Sequence, residues 1–123
     1  MSRFRRALAA TAGVVSLAAL GVNGTAHAAV PSDFVLIDCD FTVTSAGNGM
    51  HVLAQDGSTP VATLQTGQVF DLFNITRVIN GVVYWNAETS PGRVLGDWYP
   101  VRSSTTSVVY MQRDPTSCSV DSQ

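Results

Sequence analysis

The stretch Pro60–Val101, PVATLQTGQVFDLFNITRVINGVVYWNAETSPGRVLGDWYPV, decides how this chain folds. It holds most of the apolar and aromatic side chains, in short runs cut by Thr66-Gly67, Asn80-Gly81 and Pro91-Gly92. Runs rich in Val, Ile, Phe, Tyr and Trp, bounded by such pairs, read as strands joined by tight turns. The longest run, Gln68–Ile79, sets Phe70 and Leu72 on one face and Val69, Phe73 and Ile75 on the other. Burial on both faces is what a strongly bent strand of a small barrel experiences. Asn80-Gly81 favours a two-residue hairpin turn, because both residues tolerate positive φ. On the strand that follows, Val83, Trp85 and Ala87 share one face, and Val82, Tyr84, Asn86 and Glu88 the other. That alternation predicts Trp85 in the core and Tyr84 towards solvent.

Outward from this stretch the pattern stays β. Towards the N-terminus lie a short strand at Val61–Leu64, a loop at Asp56–Pro60, a strand at Met50–Leu53 and a turn cluster at Ser45–Gly49. Phe34–Val43 alternates, with Val35, Ile37, Cys39, Phe41 and Val43 expected inward and Leu36, Asp38, Asp40 and Thr42 outward. Towards the C-terminus, Ser90-Pro91-Gly92 turns the chain into Val94–Val101, and Ser103–Thr106 is a polar loop. Ser107–Gln112 reads as a last strand, and the polar tail after Cys118 as frayed. There is no internal repeat and no helix pattern. The expected class is all-β, a small barrel with extra flanking strands.

The first 28 residues stand apart. Arg3, Arg5 and Arg6 precede an apolar, Ala-rich run from Ala7 to Val22, and Ala26-His27-Ala28 supplies small residues at its end. This is the pattern of a secretory signal cleaved after Ala28, with the Arg5-Arg6 pair leaving the export route open. The run is short for a bilayer span and no comparable run follows. Of 123 residues, 95 remain, Ala29–Gln123, which suits a single domain. Cys39 and Cys118 are the only cysteines, and in an oxidising compartment they are expected to form one disulfide tying the domain's two ends together.

Charge excludes some partners. Residues 29–123 contain four arginines (77, 93, 102 and 113), no lysine and nine acids, a formal charge of −5. A polyanion binder needs clustered Arg and Lys to displace counterions, so nucleic acid and anionic lipid are poor candidates. Asp38 and Asp40 lack the additional oxygen ligands of a calcium loop and read as a solvated face. His51 is the only histidine after residue 28, and a lone His opening a short strand is ordinarily structural. Asn74-Ile75-Thr76 matches a glycosylation acceptor but falls inside a predicted strand. No catalytic constellation, metal or cofactor is expected.

The order of motifs in the middle of the chain resembles bacterial SH3-like (SH3b) domains. The resemblance lies in Pro60-Val61-Ala62-Thr63-Leu64-Gln65-Thr66-Gly67 followed by Val69-Phe70-Asp71-Leu72, then Asn80-Gly81, Tyr84-Trp85 and Gly96-Asp97-Trp98-Tyr99. It covers roughly Met50–Val101. The chain departs from the family at Leu53, where an Arg is usual, and at Val82-Val83 and Asp97, which interrupt the two Trp motifs. The resemblance implies an SH3-like barrel core and non-catalytic binding outside the cell, often to cell-wall peptide or glycan.

Two functions follow. The first is a secreted, monomeric binding module that docks a peptide, glycan or protein on exposed aromatics, with Tyr84 and Trp98 as the candidate ligand-binding residues. Alternation puts one ring of Trp98-Tyr99 outward without deciding which. The second is an inhibitor or toxin-like effector that presents a rigid loop, Asp56–Pro60 or Thr89–Arg93, to an extracellular enzyme.

Overall fold

Asn80 and Gly81 both adopt positive φ, 50° and 78°. Their handedness matches the right-handed twist of paired strands, so β4 (Val69–Ile79) folds directly back on β5 (Val82–Asn86) with Ile79 opposite Val82. The computed structural model describes residues 29–31, 33–87 and 94–121. The leader-like residues 1–28, the turn at residues 90–92 and the loop at residues 89–93 lie outside them.

The class is all-β. The other strands are β1 (Leu36–Val43), β2 (His51–Leu53), β3 (Pro60–Thr63), β6 (Trp98–Ser103), β7 (Met111–Arg113) and β8 (Ser119–Asp121). They form one antiparallel sheet in the order β3-β2-β6-β5-β4-β1-β7, with β8 also paired to β1. The sheet does not close into the expected barrel of continuous ladders, because the path ends at β3 and β7. It does curl. Ser103 N donates to Val108 O and Tyr110 N to Val101 O, so the chain entering β7 touches β6 again. Residues 119–121 are not frayed, since β8 continues past Cys118 along β1 with Ser119 opposite Asp38; residues 122–123 lie outside the described residues.

The curl encloses the inner core. Cys39, Phe41 and Val43 point into it from β1, as their alternation predicts, and meet Val52, Leu64, Leu72, Val101 and Met111. Trp85 and Tyr99 pack on its flank, with Trp85 4.9 Å from Phe41 and Tyr99 4.9 Å from Phe70 between ring centroids. The alternation fails upstream of Cys39, where Val35 is 61% exposed and Leu36 is fully buried. The β1–β4 ladder starts only at Asp38 opposite Phe73. Before it, the Asn74 side chain replaces a strand neighbour, accepting from Ile37 N at 2.9 Å and donating to Val35 O at 3.2 Å. Side-chain pairing of this kind does not propagate a strand's facing.

Cys39 and Cys118 form the disulfide, with their Cα atoms 4.1 Å apart and 79 positions apart in sequence. It locks the C-terminal segment onto β1 beside the Asp38–Ser119 pair. Closing a loop of that length stabilises the fold by about 4–5 kcal/mol on the chain-entropy argument. A disulfide is compatible with an extracellular location.

Candidate functional site

A strand with one face in the core ordinarily gives the other to water. β5 does not. Tyr84 is 8% exposed and Trp98 4%, and with Leu53 they form a second buried cluster, flanked by Ile75, Ile79, Val82 and Leu95. Trp85 and Tyr99 point the opposite way, into the inner core. The register therefore follows the alternation. The expectation of outward-facing Tyr84 and Trp98 rings does not hold, because other parts of the chain cover them.

One cover is the loop after β2. Ala54 N donates to Thr59 O, and the Asp56 carboxylate accepts from Ser58 N and Thr59 N at 2.9 Å and from the Thr59 hydroxyl at 2.6 Å. Burial raises the Asp56 pKa, but the Thr59 and Ser58 hydrogen bonds outweigh this and hold it below the ordinary carboxylate value. The Trp98 indole N–H donates to Gln55 O at 3.1 Å and so fastens the loop to β6. The second cover is residues 94–97. The Asn86 side chain, 1% exposed, accepts from Gly96 N at 2.9 Å and donates to Gly96 O at 3.0 Å.

Arg77 completes the arrangement. It lies opposite Tyr84 in the β4–β5 ladder, with its guanidinium 5.9 Å from the centre of the Trp98 ring. The loop closes on it from the other side at Gly57, which has φ +75°, and a Cβ there would sit 2.6 Å from Nη1. The positive φ favours glycine, and a side chain there would have to displace the Arg77 guanidinium. Among the described residues the Arg77 guanidinium has no ion pair and no hydrogen bond.

Between these parts lies an open depression of about 340 Å³. Met50, His51 and Leu53 line it from β2 and the turn before, Ile79 and Asn80 from the hairpin, and Tyr84 from β5. Gly57 and Ser58 complete the rim; Arg77 does not line the depression itself and lies against Gly57. Burial, and then the neighbouring Tyr110 phenol, push the Tyr84 pKa up. No hydrogen bond engages the Tyr84 hydroxyl among the described residues. Tyr84 as a residue is buried, and where it lines the depression it offers a ligand a ring and a hydroxyl not engaged by another described residue. His51 is exposed, its Nδ1 3.3 Å from the Thr63 hydroxyl.

The predicted residues thus come together, but as wall and support. Tyr84 lines the depression, while Trp98 sits behind it carrying Arg77. Asp38 and Asp40 are elsewhere: Asp38 accepts from the Ser119 hydroxyl at 2.8 Å, and Asp40 lies opposite Asp71. No group of three His, Cys, Asp or Glu side chains placed to hold a metal occurs among the described residues. Arg77, Ile79, Asn80 and Ser58 went unremarked as site residues, although Asp56-Gly57-Ser58-Thr59 is recognisable as a side-chain-capped turn. Compared with known proteins, the chain matches no family model, no curated protein and no solved structure.

Proposed function

We propose that this chain is an exported, non-catalytic binding module that holds a cell-wall peptide or glycan in the Tyr84 depression. The observation that carries the reading is that wall itself: Leu53, Ile79 and Met50 supply apolar surface, and the Tyr84 hydroxyl is unpartnered beside them. A concave, mostly apolar surface with a few convergent polar groups is the usual form of a small-ligand site. Export is supported by the basic, Ala-rich opening of the sequence and by the disulfide. The motif order around Pro60–Tyr99 supports an SH3-like relationship. Co-sedimentation with purified cell walls tests the function. Wild type should be retained, and Ser58→Trp, which fills the depression from an exposed rim position, should not. Equal retention of the two proteins, or none of either, removes the proposal.

The loop-presenting alternative draws on a different observation. The Asp56–Thr59 hydrogen bonds preorganise an exposed loop, which is what an inhibitory loop requires. Inhibition of extracellular proteases by wild type and not by Asp56→Ala would favour that reading instead.

A further inference from the structure

Resting on the binding reading above, we infer that the depression takes a ligand bearing a carboxylate, which pairs with Arg77 while the rest of the ligand covers Leu53, Ile79 and Tyr84. The argument starts from how Arg77 is held. An arginine on an exposed strand ordinarily keeps its rotamer freedom, and ordering it costs conformational entropy. Here the Trp98 ring lies under the guanidinium and the Gly57 backbone closes against it. The group is exposed and placed between these two neighbours, and no acid neutralises it among the described residues.

The one carboxylate in the adjoining loop does not serve. Asp56 turns both oxygens into its own turn, one to the Ser58 and Thr59 amides and the other to the Thr59 hydroxyl. A guanidinium presents its N–H donors in a planar fork that matches a carboxylate, and such charge-assisted pairs are stronger than neutral ones. Tyr84, opposite Arg77 in the ladder, adds a hydroxyl that no described residue engages. Four arginines against nine acids in residues 29–123 give a negative field overall. An anion is therefore attracted by the local fork and not by the protein's charge, which favours a single carboxylate over a polyanion.

Cell-wall material offers that carboxylate from two sources, a sugar acid or a peptide C-terminus, and paired probes separate them. N-acetylmuramic acid is compared with neutral N-acetylglucosamine, and N-acetyl-dialanine with its C-terminal amide, each by NMR titration of wild type, Arg77→Gln, Arg77→Lys and Tyr84→Phe. At least one acid should bind about tenfold or more tightly than its neutral partner, the ordinary worth of a hydrogen bond to a charged group. Arg77→Gln should erase that preference without changing the neutral partner's affinity. Arg77→Lys should restore part of it, and Tyr84→Phe should weaken the acid several-fold with the ring packing intact. The spectrum outside the depression reports that each variant is folded. If a neutral probe binds as tightly as its acid, or if Arg77→Gln keeps the preference, the carboxylate inference is wrong and the binding reading stands. If no probe shifts the resonances of the depression, both fall.

Discussion

The two faces of β5 and β6 carry two apolar clusters of different character. The inner one, around Phe41, Leu72 and Met111, is built from aliphatic and aromatic side chains and is bolted by Cys39. The outer one, around Leu53, Tyr84 and Trp98, is assembled from strands and then roofed by the Asp56 loop and residues 94–97. Its ring substituents are polar, its roof is held by side-chain hydrogen bonds, and it leaves a depression open. The same alternation thus places a bolted core on one side and a roofed cluster beside an open depression on the other. Neighbouring residues Tyr84 and Trp85 belong to different clusters.

Breaking the disulfide should have the largest effect, since it acts on the inner cluster and on the unfolded chain together. Cys39→Ser/Cys118→Ser should lose about 4–5 kcal/mol in denaturant unfolding on the chain-entropy argument. A loss below about 1 kcal/mol would show that β8 and the Asp38–Ser119 pair already hold the termini without the bond. Next come the paired rings. Tyr84→Ala should cost about 3–5 kcal/mol, because it empties a buried site on the outer face, and Trp85→Ala should cost less, because its ring is half-buried on the flank of the inner core. A mild Tyr84→Ala, close to wild type in urea midpoint, would mean that the outer cluster is open and not a second core.

How much of this could be read in the chain follows from where the information sits. The Asn80-Gly81 hairpin, the inward Cys39-Phe41-Val43 series and the disulfide were legible, because each depends on a few adjacent residues or on two cysteines alone. Sidedness of Tyr84 and Trp85 was legible too. Exposure was not, since alternation says that two residues face opposite ways and nothing about what covers either face. The cover of Tyr84 and Trp98 comes from segments distant in sequence, including Gln55, whose carbonyl accepts from Trp98 across 43 positions. Arg77 was read only as charge. Its place beside Trp98 and Gly57 is a three-segment coincidence that no local pattern encodes. The open end of the sheet at β3 was hidden for the same reason.

The roof over the outer cluster gives a smaller and more selective test. Asn86→Ala removes both bonds to Gly96 and leaves a buried amide and carbonyl without partners, which should cost about 1–3 kcal/mol. Hydrogen exchange should quicken at Gly96 and Asp97 while Phe41 and Leu72 stay protected. Equal loosening of both clusters would show that they unfold as one unit and are not energetically separate.

The smallest expected effect lies in the Asp56 loop and depends on pH. The carboxyl's pKa is lowered in the folded protein, so its ionised form is favoured by folding. Its stabilisation is therefore fully present above the unfolded value, about 3.9, and is lost as pH falls through the lower folded value. Asp56 is largely exposed, and solvent screening keeps the contribution under about 1 kcal/mol. Asp56→Asn isolates it. An amide oxygen can still accept from Ser58 N and Thr59 N, so the turn is kept while the charge and its pH dependence are removed. The variant should be slightly less stable than wild type at neutral pH, and the gap should shrink on acidification below pH ~4. A gap that stays constant or widens in acid would mean that the loop is held by its backbone bonds alone. The roof of the outer cluster would then be as insensitive to charge as the inner core.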